Sequence, residues 1–167
     1  MRIRPAWWVP GVVGVGTLAA VAILFLPAEP PLPGIVRDPA PNVEGLAFDD
    51  VWERDRPVPA DLVPAEDEVT VAYFGYLSCP DMCPLTMGDL RRARQLLGDD
   101  LAHRTTVAFV TLDPARDGPE ELQRYLSLFF DHGVRALTAP DEAALAAATE
   151  RLGVRYEVAE HAPGATE

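Results

Sequence analysis

Apolar and polar positions along this chain alternate between the period of a strand and the period of a helix. Val69 to Tyr76 is β-branched and aromatic with almost no polar residue, which predicts a strand buried on both faces. Pro84 to Leu97 predicts a helix, with Met87, Leu90, Ala93 or Arg94, and Leu97 on one stripe. Thr105 to Leu112 predicts a second buried strand, ended by Asp113-Pro114. Pro119 to Phe130 predicts a helix whose Leu122, Tyr125, Leu126, Phe129 and Phe130 share a face, with Pro119 in the first turn. Val134 to Thr138 is a short strand, Asp141 to Leu152 an alanine-rich helix stopped by Gly153, and Val154 to Val158 one more strand. Strands and helices in strict alternation imply an α/β layer with a mostly parallel sheet.

The N-terminal third follows other rules. Ala6 to Ala28 holds no charged residue, enough to cross a bilayer, which takes about 20 apolar residues. Arg2 and Arg4 precede it and Trp7 and Trp8 mark its start, the flanks of a positive-inside anchor. A cleaved signal peptide competes, because Gly11, Gly14 and Gly16 weaken the helix. The run shows no small-x-small cleavage site, and no cysteine follows that could carry a lipid, so an uncleaved anchor over 1–28 is expected. The protein would then be a single-pass cell-membrane protein with an extracytoplasmic C-terminal domain. Residues 29–42, rich in proline, read as a semi-extended linker, and 43–167 as one domain. Within it, Leu46, Phe48, Val51 and Trp52 suggest a short strand or hairpin, and Pro57, Pro59 and Pro64 break anything longer.

Charge narrows the partners. The formal net charge is −12, and because Arg2 and Arg4 precede the anchor the remainder carries −14. Nucleic-acid binding wants a basic face and is excluded. Arg91, Arg92 and Arg94 read as a solvated basic face on the first helix.

Candidate chemistry lies at the first strand-to-helix junction, where Cys79 and Cys83 are the only two cysteines. Pro80 and Pro84 keep the junction out of a helix interior, so both sulfurs sit near free helix N–H groups, which favour a thiolate. Asp81 between them suits a cation and works against ionisation of the thiols. Three uses fit: a disulfide staple, a soft-metal site, or thiol redox work. A five-residue loop constrains the unfolded chain little, so a staple would stabilise weakly. Two thiolates do not complete a zinc site, whereas copper needs fewer ligands, a third being most naturally an imidazole.

Cys79-Pro-Asp-Met-Cys83-Pro84, preceded by Tyr73-Phe-Gly-Tyr76, resembles the copper-binding motif of the Sco/SenC family of thioredoxin-like proteins. Thr111-Leu-Asp-Pro-Ala-Arg-Asp117 resembles that family's second signature, and the likeness runs from about Asn42 to Val158. The resemblance implies a thioredoxin-like α/β sheet with flanking helices, preceded by one transmembrane helix. It implies a copper ion held by Cys79 and Cys83, and a copper chaperone whose partner is the copper-receiving subunit of a haem–copper respiratory oxidase. The same cysteines would serve the alternative, an extracytoplasmic thiol–disulfide oxidoreductase. Three residues between the cysteines favour chelation over the Cys-x-x-Cys redox spacing.

The family's pattern continues with a ligand histidine, a closing hairpin and a last helix, none of which this sequence matches. His161 lies one residue out of step with it and is read as a tail histidine with a claim on the metal, while His103 and His132 read as solvated turn residues. A sheet without its hairpin is expected to keep an open edge, and hence either to self-associate through it or to be an inactive copy. Asp113 could line the cysteine crevice, but Asp113, Arg116 and Asp117 are read first as a turn.

Overall fold

The computed structural model describes residues 34–52 and 56–157. The predicted anchor over 1–28, the linker before Gly34 and the tail bearing His161 lie outside the described residues. Among the described residues no helix is long and apolar enough to cross a membrane. The chain divides into two units, 1–38 and 39–167. Residues 34–38 of the first are exposed and carry no helix or strand.

The second unit is a mixed α/β layer. Its strands are β1 (Phe48–Asp50), β2 (Val58–Ala60), β3 (Val69–Gly75), β4 (Thr105–Thr111) and β5 (Val134–Thr138). Its helices are α1 (Met82–Leu96), α2 (Asp99–His103), α3 (Pro119–Leu126) and α4 (Glu142–Leu152). The sheet runs β2-β1-β5-β4-β3, with β3, β4 and β5 parallel and β1 antiparallel to both its neighbours. The predicted hairpin is therefore real, pairing Phe48 with Ala60 and Asp50 with Val58.

β4 is the centre of the fold. Its alternate residues face two different cores, as the pleat requires. Ala108 and Val110 join Phe48, Leu137, Leu145 and Ala148 beneath α4. Val107 and Phe109 join Met87, Leu122, Leu126 and Phe130 beneath α1 and α3. Burial on both faces is what its near-continuous apolar sequence encodes.

β3 departs from expectation. It is an edge strand, hydrogen-bonded among the described residues only to β4, and Val69 at its start is 56% exposed. Its apolar run covers the margins of both cores, with Tyr73 on one face and Phe74 on the other, and buries fully only at Gly75.

The first two helices differ in detail from expectation. α1 starts at Met82, two residues before the predicted start, with Leu85 N–H already bonded to Asp81 O at 3.2 Å. Pro84 is thus the third helical residue, which costs nothing because first-turn N–H groups have no partner in the helix. Leu97, placed on its buried stripe by the sequence, is 39% exposed. α2 occupies what reads as a turn, with Asp99 and Asp100 at its positive end.

The predicted strand from Val154 to Val158 is no strand over its described part, residues 154–157. α4 is capped as its sequence says. Asp141 Oδ1 accepts from Ala144 N–H at 2.7 Å, and Gly153 takes φ 65° while Val154 N–H returns to Thr149 O at 2.8 Å.

Candidate functional site

β3 ends at Gly75 and α1 begins at Met82, and the loop between them carries Cys79 up to the helix N-terminus. Cys79 N–H bonds Tyr76 O at 3.3 Å, closing a turn. Cys83, one residue into the helix, points its own N–H at Cys79 Sγ, 3.3 Å away. Both thiols are free, Cys79 half-buried and Cys83 only 3% exposed.

Gly75 lets the strand pass this close to a sulfur. A Cβ there would lie 2.6 Å from Tyr73 Cε1, 3.1 Å from Cys83 Sγ and 3.3 Å from Phe109 Cε2. The Cys83 sulfur therefore rests in a pocket walled by β3 backbone and two aromatic rings.

The two thiols are electrostatically unlike. Burial works against ionisation of Cys79, but hydrogen bonds from the Cys83 thiol and from the backbone of Cys83, Asp81 and Met82 outweigh it and lower the pKa. That is the helix N-terminus acting as an anion site. Burial pushes the Cys83 thiol up, its Tyr73 hydroxyl and Tyr76 backbone partners offset this only in part, and the neighbouring Cys79 raises it further. Of the two, the accessible sulfur of Cys79 is thus the readier to ionise. Two tyrosines answer that charge. Tyr76, on the solvent side, is raised first by the charge of Cys79, and Tyr73 is pushed up to about 12 by burial and by its bond to Cys83.

A carboxylate on the next loop holds the cysteine loop down. Asp117 Oδ2 accepts from Thr111 Oγ1 at 2.6 Å and from Leu77 N–H, two residues before Cys79, at 3.1 Å. Its own turn is fixed by Asp117 N–H to Asp113 O at 2.9 Å and by the Arg116–Asp113 ion pair. Between the two loops opens a crevice of about 630 Å³, walled by Tyr76, Leu77 and Ser78 on one side and Leu112, Asp113 and Asp117 on the other.

Burial raises the Asp117 pKa above 3.8, against the pull of its two hydrogen bonds. A group raised on folding contributes stability that is full below its unfolded pKa and lost as pH rises through its folded one. Asp117→Asn keeps an acceptor oxygen and removes the charge, so at pH 7 it should melt no lower than the parent, any advantage vanishing below pH 3.8. Asp117→Ala strands both donors and should cost about 2 kcal/mol. Urea unfolding of both variants at pH 3.5 and 7 reads the two effects separately.

A family model described as SCO1/SenC matches residues 46–167. The chain belongs to the SCO1/SenC family. An SCO2-like protein of Rickettsia conorii is 32% identical over 120 residues, 70% of this chain and 56% of the relative. The chain spans between 29% and 56% of the length of the first curated relatives it matches. Apo Sco1 from Thermus thermophilus is 32% identical, with a TM-score of 0.57 over 74% of this chain and 69% of that one. Bradyrhizobium japonicum ScoI, solved with copper bound, is 27% identical, with a TM-score of 0.51 over 64% and 65%.

Within this SCO1/SenC site the predicted residues divide cleanly. Cys79 and Cys83 come together, while Asp113 makes the expected turn and lines the crevice beside the cysteine loop, which neither cysteine lines. Among the described residues no group of three His, Cys, Asp or Glu side chains is placed to hold a metal. His103 and His132 stack on each other, centroids 6.3 Å apart. They stand at the starts of β4 and β5, at the opposite end of the sheet from the cysteines, roughly 20 Å away by strand rise.

Arg94 corrects the basic-face reading. It is half-buried and donates to His132 O at 2.7 Å and to Ala102 O at 3.3 Å, tying α1 to the loop before β5 and to α2, while Arg91 and Arg92 are exposed. Sequence reasoning missed Tyr73 and Asp117 as partners of the site. The signal for Tyr73 was its place two residues before Gly75 on the face that meets α1.

Proposed function

We propose that the protein is a membrane-tethered copper chaperone that holds one copper ion between Cys79 and Cys83 and yields it to the copper-receiving subunit of a haem–copper respiratory oxidase. The observation that carries this is the free thiol pair itself, one sulfur accessible and the readier to ionise, the other buried behind it. Two soft sulfurs suit Cu(I), which is content with few ligands. The copper-bound state of Bradyrhizobium japonicum ScoI supports the same cargo. Tethering and an extracytoplasmic domain are supported by the uncharged run Ala6 to Ala28 behind Arg2 and Arg4.

A thiol binds metal as its thiolate, so copper uptake is proton-coupled and strengthens as pH rises. Unloading begins at Cys79, the sulfur a partner thiolate can reach. Copper moves by ligand exchange, with no change in oxidation state. The thiol–disulfide reading draws on the same asymmetry. Cys79 would attack a partner disulfide, whose first sulfur departs as a thiolate, and Cys83 would then attack Cys79 Sγ, expelling the partner's second sulfur as a thiolate and leaving a Cys79–Cys83 disulfide.

Copper titration of the reduced full-length chain in detergent decides between them. The chaperone reading expects one copper per chain, lost in the Cys79→Ser/Cys83→Ser double variant. A chain that takes up no stoichiometric copper but cycles a Cys79–Cys83 disulfide would overturn it in favour of the reductase.

A further inference from the structure

A single guanidinium fastens together the two segments that carry His103 and His132. From α1, Arg94 donates through Nη1 to His132 O at 2.7 Å and through Nη2 to Ala102 O, the residue before His103, at 3.3 Å. Gly133, which follows His132, holds φ 67°, and a Cβ there would collide with the same guanidinium. With both backbones fixed in this way, the two rings lie alongside each other, centroids 6.3 Å apart and planes 29° from parallel.

The clamp explains the two positions and not the two imidazoles. Arg94 grips main-chain oxygens, so it would hold any residue at 103 and 132. Both side chains are exposed and neither enters a core. His103 is oriented as well as placed. Its Nδ1 lies 2.5 Å from Asp99 O, and because a carbonyl only accepts, that nitrogen carries the proton. The neutral ring is left with a free lone pair on Nε2. A backbone carbonyl on the far nitrogen is the partner that metal-bound imidazoles ordinarily have.

We propose that His103 and His132 form a second metal site, a two-imidazole clip for Cu(II) or Zn(II) with water completing the shell. Nitrogens about 2 Å from one ion put imidazole centroids roughly 4.5–6 Å apart, depending on the angle at the metal. From 6.3 Å, a slight rotation of two exposed side chains closes that distance. Among the described residues no third His, Cys, Asp or Glu is placed to join them, so the ion stays open to water and exchangeable. Imidazole suits both cations, and Cu(II) heads the affinity order, whereas the softer Cu(I) goes to sulfur. The clip stands at the other end of the sheet from Cys79 and Cys83, and it holds whether or not they carry copper.

The test uses the full-length chain with Cys79→Ser/Cys83→Ser, titrated with Cu(II) without reductant and read by electron paramagnetic resonance. One Cu(II) per chain with two nitrogen ligands is expected. Either His103→Ala or His132→Ala should weaken it by at least about tenfold, since even an outer-shell partner is worth that much. The double histidine change should abolish the nitrogen signature, and His161→Ala should leave it intact. In the unaltered chain, Zn(II) beyond one equivalent should shift the ring resonances of His103 and His132 together, a readout that needs no substitution. Copper retained by the double histidine variant, dependence on one histidine alone, loss in His161→Ala, or ring resonances that do not move overturns the inference. Uptake of Cu(I) by the cysteine-intact His103→Ala/His132→Ala chain should match the parent, so failure here leaves the chaperone reading untouched.

Discussion

Cys83→Ser should abolish stoichiometric copper binding and also lower the melting temperature of the copper-free protein, whereas Cys79→Ser should abolish copper binding and leave melting almost unchanged. The copper effect follows from the donor set. Each variant removes one of two sulfurs, so the affinity loss should exceed roughly 100-fold, the upper end for an outer-shell change. The stability effect separates the two because Cys83 is 3% exposed against Tyr73, Gly75 and Phe109, while Cys79 is half-buried at the loop surface. Burying a hydroxyl where a thiol sat costs about 1–3 kcal/mol when its hydrogen bonds are imperfect. Melting curves beside copper titrations of both single variants make the comparison, and equal melting temperatures would show that Cys83 is not the buried half of the pair.

Phe109→Ala should remove about 3–5 kcal/mol of stability, the usual cost of truncating a buried phenylalanine. Phe109 is fully buried on the central strand, packs against Tyr73 at 5.8 Å and Tyr125 at 6.0 Å, and closes the wall behind the Cys83 sulfur. Against a total of about 5–15 kcal/mol for an ordinary domain, that is a large share. Copper retention should weaken in parallel, because the cavity lies directly behind the Cys83 sulfur proposed to hold the ion. Phe109→Leu, which keeps most of the volume, should cost about 1 kcal/mol and retain copper. Urea unfolding of the two variants gives the stabilities, and chelator competition gives the retention.

Much of the fold was legible because its elements differ sharply in period. β4 and β5 were foreseen almost to the residue, since a central strand is apolar on both faces and no neighbour can override that. The face of α3 was legible as well. Leu122, Leu126 and Phe130 are buried in one core with Tyr125 and Phe129 at its margin, although the helix stops at Leu126. β3 was misjudged for a reason that is general. An edge strand that seals the margins of two cores has the same composition as a central one, and only the strand order distinguishes them.

By itself the sequence determined the alternation of strands and helices, the caps at Asp141 and Gly153, and the placing of Cys79 and Cys83 at a strand-to-helix junction. Each of these is written in residues within a few positions of one another, where propensity and backbone geometry act. Tertiary structure alone decided which thiol is buried, that Asp117 reaches 40 positions back to hold Leu77, and that Tyr73 brings its hydroxyl to the Cys83 sulfur. Those relations join β3, the loop after β4 and α1, and the chain meets them only once the parallel strands are in register. Distance in space, not distance in sequence, sets a hydrogen bond and a pKa, so the chemistry of the site could not be read before the sheet was assembled.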